Sequence, residues 1–509
     1  MALACSYAVG LVGLDGHVVE VEADLAQGLP GLSITGLPDA SLNEARDRVR
    51  AAVVNSGFPW PNKRMTIGLS PAWLPKRGTG FDLALAVALL AAAGLVPREA
   101  LKGLLLIGEL GLDGRVKPVS GILPSVLTWS KYGQSRVVVP AANLAEARLL
   151  PGIDAVGVST LADLVDWLCG RALPLVELEP LAPPDALPGD YAEVAGQVEG
   201  RHACEVAAAG GHNLLLTGTP GCGKTLLAER MPGILPALSL EESLDVTAIH
   251  SVAGVLPHGS PLVTAAPFQA PHHGATAAAI VGGGAGIAKP GAASLAHRGV
   301  LFLDEAPEFG RSVLDALRQP LESGSITIRR VGGTATYPAR FALLLAANPC
   351  PCAKDDRHCT CTPERRRTYL ARLSGPLLDR IDIQVQLPPV TRRDMLAERG
   401  VGESTSVIAE RVLAARARMA ERYSGTPWRT NADVPATALA QQWPLRGPAL
   451  ALLGKAMDLG ALTGRGFGRV HRLAWTAADL AGASWPEKEH VGLALGLRLG
   501  DLHSGRTAA

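Results

Sequence analysis

Eight consecutive residues, 218–225, constrain the fold of this chain more than any other segment. They read G-T-P-G-C-G-K-T and match the pattern G-x-x-x-x-G-K-[ST], directly after the apolar run 213–217 and ahead of a helix-forming run. A strand, a glycine-rich loop and a helix in this order turn backbone N–H groups inward around phosphates. The segment therefore predicts a nucleoside triphosphate site in an α/β domain.

The chemistry of the loop residues predicts their roles. Lys224 carries a cation that can reach the β and γ phosphates, and the Thr225 hydroxyl can hold Mg²⁺. The residues predicted to bind the nucleotide are Gly218, Thr219, Pro220, Gly221, Cys222, Gly223, Lys224 and Thr225.

Two buried-strand runs end in polar residues that suit hydrolysis. The run 300–303 precedes Asp304, predicted to bind Mg²⁺, and Glu305, predicted to orient and deprotonate the attacking water. The run 341–347 precedes Asn348, whose amide is predicted to hold the lytic water or the γ-phosphate. The alternative for the two carboxylates is a solvated acidic turn, which the phosphate loop disfavours.

Two arginines are predicted to act on nucleotide from more distant positions. Arg380 precedes the strand-like run 381–387 and is predicted to project to the subunit edge as a trans-acting finger. Its alternative is a surface ion pair with Asp379 or Asp382. Arg465 opens a helical run and matches a second nucleotide-sensing position, with a capping or surface arginine as the alternative.

Length and composition indicate several domains. The chain has 509 residues, 48% hydrophobic content and a net charge of +1, which fit a multidomain protein and exclude a disordered or strongly basic one. The proline-rich stretch 181–191 predicts a linker. It separates an N-terminal domain, 1–180, from an α/β core with a parallel sheet, 192–395, and a helical domain, 396–509.

The chain is predicted to be cytoplasmic and to have no membrane partner. Its longest apolar stretch, 83–96, is 14 residues, short of the roughly 18 to 20 that cross a bilayer. The first ten residues lack the basic start and apolar core of a signal peptide. Eight cysteines, four of them clustered, indicate a reducing compartment and not a disulfide framework.

Five sequence segments resemble those of the ComM/YifB branch of the magnesium-chelatase-like AAA+ ATPases and follow one another in the order found in that family. The resemblance covers nearly the whole chain. The segments are 270–276, 290–305, 348–352, 373–382 and 476–480. The resemblance implies an ATP-driven hexameric ring with a C-terminal helical lid. It also implies a motor that acts on branched or single-stranded DNA, as a branch-migration helicase does in recombination of imported DNA.

Two segments are predicted to contact DNA. The insertion 269–297 is rich in glycine and carries His272, His273 and Lys289, which suit a pore loop, although a buried structural histidine pair is the alternative. Metal binding by the two histidines is disfavoured.

The second DNA segment, 324–337, reads as a β-hairpin around Gly332 and Gly333. It places Arg329 and Arg330 near the tip, where similar ring helicases bind phosphates in the channel. The alternative for these two arginines is a solvated turn.

Four cysteines form the pattern C-x-C-x₆-C-x-C at Cys350, Cys352, Cys359 and Cys361. Four thiols at this spacing favour a tetrahedral structural zinc ion. Free thiols or a redox-labile loop remain the alternative, because C-x-C pairs are less common than C-x-x-C pairs in such sites.

The N-terminal segments 69–86 and 108–121 resemble a Lon-protease-type α+β domain of the ribosomal S5 domain 2-like class. A Ser-Lys dyad needs a hydroxyl nucleophile and a neutral lysine. The chain has Gly80, Phe81 and Asp82 at the nucleophile turn and Leu123 at the lysine position. We therefore predict a ring-forming or DNA-contacting domain with no protease substrate. The alternative function for the whole chain is an ATPase subunit that drives a metal chelatase or remodels another protein.

Overall fold

The computed structural model describes residues 2–36, 40–74, 76, 78–172, 189–256, 262–284, 288–330, 333–354, 359–392, 394 and 402–500. Most of the predicted linker 181–191 lies outside these residues, which resume at Gly189.

The N-terminal residues build a mixed sheet. Its strands are β1 (Ala2–Val12), β2 (Asp15–Ala26), β3 (Gly31–Thr35), β4 (Arg64–Ser70), β5 (Leu104–Leu106), β8 (Arg136–Pro140) and β9 (Asp154–Val158). Two further strands, β6 (Glu109–Leu110) and β7 (Val116–Lys117), form a separate two-stranded sheet. The seven-stranded order is β3-β4-β2-β1-β5-β8-β9. A long antiparallel hairpin, β1–β2, lies at its centre, and β5, β8 and β9 continue it in parallel.

Five helices accompany this sheet. They are α1 (Ala40–Asn55), α2 (Asp82–Ala92), α3 (Ile122–Lys131), α4 (Leu144–Ala147) and α5 (Leu161–Leu168). All residues of α2 are buried, because its leucines, alanines and valines pack between α1 and the β1–β2 hairpin. The apolar stretch 83–96 is thus mostly a core helix, as predicted. No helix within the described ranges is both long and apolar enough to span a membrane.

The central residues form the predicted parallel sheet. Its strands are β10 (Leu214–Gly218), β11 (Phe268–Gln269), β12 (Val300–Leu303), β15 (Ala342–Ala347) and β16 (Ile383–Leu387). The order is β11-β12-β15-β10-β16, with every pair parallel. The predicted run 381–387 starts its strand two residues later, at Ile383. Two further strands, β13 (Ser325–Arg330) and β14 (Gly333–Pro338), form the predicted hairpin.

Nine helices surround this sheet in the described part of 189–394. They are α6 (Val198–Gly210), α7 (Lys224–Ile234), α8 (Leu240–Ala253), α9 (Ala277–Val281), α10 (Ala292–Leu295), α11 (Arg311–Ala316), α12 (Pro320–Ser323), α13 (Pro363–Leu370) and α14 (Gly375–Leu378). The described residues 402–500 contain helices and no strand: α15 (Thr405–Arg422), α16 (Ala436–Gln442), α17 (Gly447–Asp458), α18 (Gly464–Ala481) and α19 (Lys488–Leu499).

A buried polar network attaches the C-terminal helices to the sheet. His212 Nε2 lies 2.7 Å from the Thr476 hydroxyl, and His212 Nδ1 lies 3.5 Å from Asp382. Arg469 of α18 also pairs with Asp382. Burial by itself would raise the pKa of Asp382, but His212 and Arg469 outweigh it and hold that pKa well below its usual range.

The N-terminal domain contacts the core through a second buried polar group. The Ser251 hydroxyl of α8 donates to Glu146 of α4 at 2.5 Å, and the Gly121 amide donates to the Ser251 hydroxyl at 2.9 Å. Burial raises the pKa of Glu146, although Ser251 opposes this shift. Helices α3 and α8 pack together at this point, so the two domains share a specific interface.

Candidate active site

The phosphate loop lies between β10 and α7, as predicted. Gly221 and Gly223 have φ angles of 77° and 92°, the left-handed region that favours glycine. Gly223 is the residue directly before α7, so the first amides of this helix are left for an anion. Cys222 points inward and is 1% exposed.

The polar residues predicted from three different strands meet at the loop. Lys224 Nζ donates to Asn348 Oδ1 at 3.1 Å, and the Thr225 hydroxyl donates to Asp304 Oδ2 at 2.9 Å. Parallel strands β10, β12 and β15 are neighbours, so their carboxyl ends bring these side chains to one edge of the sheet. The arrangement combines a cation, two oxygen ligands that suit Mg²⁺ and an amide.

Glu305 has an unusual backbone conformation. Its φ is 51° and its ψ is 43°, which a residue other than glycine rarely adopts. The Glu305 amide donates to Asp304 Oδ1 at 2.8 Å. Its carboxylate is about half exposed and lies 3.5 Å from His273 Nδ1. The carboxylate is thus at the open edge of the sheet, where a water molecule can reach it.

The interpretation of the two histidines needs correction. The buried-pair alternative is wrong, because His272 is exposed and His273 is partly exposed. Their rings are in contact, with centroids 4.0 Å apart and planes tilted by 34°, and of the two only His273 lies beside Glu305. The His272 Nδ1 accepts a hydrogen bond from the Gly274 amide at 3.1 Å. The pair therefore belongs to a turn beside Glu305, and the pore-loop role of the insertion 269–297 stays a prediction.

The two distant arginines lie close to each other in the fold. The Arg380 side chain is 11% exposed and forms an ion pair with Glu322. The alternative prediction of an ion pair with Asp379 or Asp382 was therefore wrong about the partner. Arg465 is 74% exposed and lies 3.8 Å from Asp379, the residue before Arg380. Thr463, and not Arg465, caps α18. The trans role of Arg380 and the nucleotide-sensing role of Arg465 stay predictions.

The predicted DNA-contacting cations are exposed on the hairpin and on the segment beside it. Arg329 and Arg330 are exposed, and Arg330 pairs in register with Gly333 at the end of the β13–β14 hairpin. Lys289 is exposed and forms an isolated bridge with Gly283. A Cβ added at Gly283 would lie 3.5 Å from the Arg330 guanidinium, so Arg330 lies beside the segment that carries Lys289, whereas Arg329 projects from the opposite face of β13.

The four cysteines converge in the turn that follows Asn348. The Cys350 sulfur lies 3.2 Å from that of Cys352 and 3.4 Å from that of Cys359, and Cys352 and Cys359 are 3.5 Å apart. With Cys361 included, all four sulfurs lie within 4.8 Å of one another. Four soft ligands at these separations match one tetrahedral metal ion.

The N-terminal domain places no Ser-Lys pair at the positions expected for a Lon-type dyad. Phe81 and Leu123 are buried apolar side chains there. Asp82 begins α2 and is fully buried, with its carboxylate held by Arg48 at 2.9 and 3.0 Å. This acidic residue has a structural partner and is not available to a substrate.

One residue at the site was missed from the sequence. Gln197 precedes α6 in the left-handed conformation, with φ 56°, and packs beside Gly223. Its Nε2 donates to the Pro388 carbonyl at 2.6 Å, while its Oε1 has no hydrogen-bond partner among the described residues. The sequence signal for this residue was the pair Gly196-Gln197 ahead of a helix, and a two-residue pattern is too short to be specific.

Three family models match the chain. Residues 190–395 match the model described as magnesium chelatase, subunit ChlI. Residues 21–143 match subunit ChlI of Mg-chelatase, and residues 402–498 match magnesium chelatase, subunit ChlI C-terminal.

Several proteins are similar over almost their whole length. An uncharacterized protein of Mycobacterium tuberculosis is 52% identical over 499 residues, which are 98% of this chain and 99% of that protein. The uncharacterized protein YifB of Escherichia coli is 40% identical over 505 residues, 98% and 97% of the two chains. Competence protein ComM of Haemophilus influenzae is 37% identical over 505 residues, 98% of each.

A shorter similarity concerns a protease. Lon protease of Mycolicibacterium smegmatis is 28% identical over 177 residues, which are 33% of this chain and 22% of that protein.

Proposed function

Because this chain belongs to the ComM/YifB family of magnesium-chelatase-like AAA+ ATPases, we propose that it is an ATP-hydrolysing hexameric ring that moves branched DNA. One observation carries the ATPase part. Side chains from three separate segments meet at one sheet edge, where Lys224 contacts Asn348 and Thr225 contacts Asp304.

The proposed division of labour follows from this geometry. The loop amides and Lys224 bind the phosphates, while Thr225 and Asp304 supply oxygen atoms for Mg²⁺. Glu305 takes a proton from the attacking water. Arg380 would act on the nucleotide of a neighbouring subunit, which requires it to leave Glu322, and Arg465 would be a second nucleotide-sensing residue.

The DNA part of the proposal rests on three exposed cations of the hairpin and the adjoining segment, Arg329, Arg330 and Lys289. Two exposed arginines and a lysine in every subunit give a ring many phosphate contacts. The name of the ComM relative, a competence protein, supports a role in handling imported DNA.

The experiment is ATP hydrolysis measured without DNA and with single-stranded, duplex and four-way-junction DNA. We expect the largest stimulation by the junction, with the effect declining as salt rises. Arg329→Ala with Arg330→Ala should keep the DNA-free rate and lose the stimulation. Arg311→Ala with Arg318→Ala removes two exposed arginines outside the hairpin and should behave as wild type. Equal rates with and without every DNA would reject the DNA motor.

A second candidate is an ATPase subunit that drives a metal chelatase, since all three family models carry that name. It predicts stimulation by a protein partner and no response to DNA. The same assay therefore separates the two functions.

We also propose that the four clustered cysteines hold one structural zinc ion. Tetrahedral coordination with Zn–S bonds of about 2.3 Å places sulfurs about 3.8 Å apart, close to the 3.2 to 3.5 Å between three of them. The ion would tie the start of α13 to the turn that follows Asn348.

Metal analysis of purified protein should then give about one zinc per chain. Cys352→Ser with Cys359→Ser should lose the zinc, whereas Cys169→Ser, an exposed free cysteine elsewhere, should keep it. Zinc-free protein after metal-replete expression would reject the site.

A further inference from the structure

Trp73, in the N-terminal domain, presents a large aromatic ring to solvent. All eight tryptophans of the chain lie within the described residues, and Trp73, at 69% exposure, is the only exposed one among them. An indole ring gains free energy when its apolar surface is covered. A ligand that covers the Trp73 ring would therefore be stabilised by it.

The chain around Trp73 holds its ring outward. The next residue, Leu74, is buried, and its amide donates to the Pro71 carbonyl at 3.3 Å. A Cβ added at Gly10 of β1 would lie 3.5 Å from Leu74 Cδ2, so Leu74 is anchored on the β1–β2 hairpin. The His17 ring of β2 meets the Trp73 ring nearly at right angles, with centroids 5.7 Å apart. The indole is thus supported on one side and open on the rest of its surface.

The β1–β2 hairpin also touches the β13–β14 hairpin, which carries the predicted DNA-contacting arginines. A Cβ added at Gly333 would lie 3.6 Å from Val12 Cγ1, and Gly333 pairs in register with Arg330. Val12 is opposite Asp15, and His17 is two residues further along the same face of β2, a distance of about 7 Å. The two aromatic rings therefore lie close to the end of the β13–β14 hairpin.

An exposed aromatic ring beside arginines has the chemistry that binds single-stranded nucleic acid. Bases stack on aromatic side chains while cations contact the phosphates of the backbone. The Trp73 ring can take only an unpaired base, because neighbouring bases already cover both faces of a base inside a duplex. The exposed Asp15, at the turn of the β1–β2 hairpin, repels phosphate. This charge favours a base, and not the backbone, over this part of the surface.

We propose that Trp73, supported by His17, stacks on an unpaired base of single-stranded nucleic acid whose backbone is bound by the arginines of the β13–β14 hairpin. The inference rests on the proposed DNA motor and gives the N-terminal domain a part in it. A branched or partly opened DNA supplies the unpaired bases. We call Trp73 and His17 the stacking site.

The test measures the dissociation constant of the full-length protein for a fluorescein-labelled single-stranded oligonucleotide and for the same sequence as a blunt duplex. Trp73→Ala should weaken single-strand binding by at least about fivefold, the lower end of what one stacked base contributes. Duplex binding should not change. Trp73→Phe retains an aromatic ring and should recover most of the affinity. Tyr132→Ala removes another exposed ring of the N-terminal domain and should bind as wild type.

The salt dependence of binding separates stacking from a displaced hairpin. The slope of log Kd against log salt concentration reports the number of phosphate contacts. Trp73→Ala should keep the wild-type slope, whereas Arg329→Ala with Arg330→Ala should flatten it.

Three results would overturn the stacking site. The first is wild-type affinity of Trp73→Ala for the single strand. The second is an equal loss of affinity for the single strand and the duplex, which would indicate a structural effect. The third is a smaller oligomer of Trp73→Ala in light scattering, which would assign the ring to a contact between subunits.

Failure of the motor proposal would look different. If Trp73→Ala weakens single-strand binding as expected but no DNA stimulates ATP hydrolysis by the wild type, the motor is rejected and the stacking site stands. If the wild type binds no single-stranded DNA, the stacking site is rejected whatever the ATPase assay shows.

Discussion

The central domain and the N-terminal domain each begin a helix after a glycine-containing turn, and they use the polar residue there in opposite ways. In the centre, Lys224 starts α7 at an open sheet edge and meets groups from other strands. In the N-terminal domain, Asp82 starts α2, fully buried, and is held by Arg48. The first site keeps its polar atoms within reach of a ligand, and the second uses them to attach α1 to α2.

The difference teaches that a resemblance to a catalytic fold is not enough to assign catalysis. The N-terminal segments resemble a Lon-type protease, yet Gly80 and the buried Leu123 stand where that chemistry needs a hydroxyl and an amine. Burial also raises the pKa of Asp82 although Arg48 opposes the shift, which is typical of a structural carboxylate.

The largest effect is expected at the subunit boundary. Arg380→Ala should leave ATP binding within a few-fold and lower kcat by about 1,000-fold, because a trans-acting guanidinium stabilises charge in the transition state. Mixing it with Lys224→Ala subunits should restore activity above the sum of the two variants. Normal hydrolysis by Arg380→Ala alone, with DNA present, would contradict the trans role.

The second largest effect is expected from removal of the phosphate-loop cation, Lys224. Lys224→Ala should weaken ATP binding by about 100-fold, since charged hydrogen bonds to phosphate worth about 3 kcal/mol are lost. Fluorescent-nucleotide titration measures this change. Lys289→Ala, which removes an exposed cation outside the loop, should bind ATP normally. Tight ATP binding by Lys224→Ala would contradict the proposed difference between the start of α7, which binds a ligand, and the start of α2, which has a structural role.

The N-terminal counterpart should affect stability and not catalysis. Asp82→Ala leaves Arg48 without its buried partner and should lower the free energy of unfolding of that domain by about 3 to 5 kcal/mol. The ATPase rate should stay within twofold at a temperature where the variant is folded. Asp113→Ala removes an exposed pair with Arg115 and should change stability by less than about 1 kcal/mol. Loss of ATPase activity in folded Asp82→Ala would place this carboxylate in the function.

No peptidase activity is expected from the N-terminal domain. Full-length protein incubated with casein or fluorogenic peptides, with and without ATP, should give no cleavage above a mock purification from cells that do not express it. Cleavage that follows the protein through successive columns would contradict the absence of a dyad at Gly80 and Leu123.

Local patterns predicted much of the core. The apolar run 300–303 became β12 with the predicted bounds, and the run 341–347 became β15 with one residue fewer at its start, because both strands are buried on two faces. The proximity of the polar residues after these strands could then be predicted as well, since the carboxyl ends of parallel strands lie at one edge of the sheet. The hairpin was equally readable from its glycine turn and alternating residues.

The sequence did not predict the contacts that depend on which strands are neighbours in the sheet and which helices pack together. His273 reaches Glu305 only because the two-residue strand β11 pairs with β12, and so short a strand has no periodic signal. Ser251 and Glu146 are 105 residues apart in sequence and meet because α3 packs on α8, a pairing that no local sequence pattern specifies.

The central claim is that the edge of the five-stranded sheet hydrolyses ATP with Glu305 as the base. The most direct measurement is single-turnover hydrolysis by Glu305→Gln beside an ATP titration of the same protein. We predict ATP affinity within a few-fold of wild type and hydrolysis slower by at least about 100-fold, because the amide cannot take the proton. Hydrolysis within a few-fold of wild type would contradict the account.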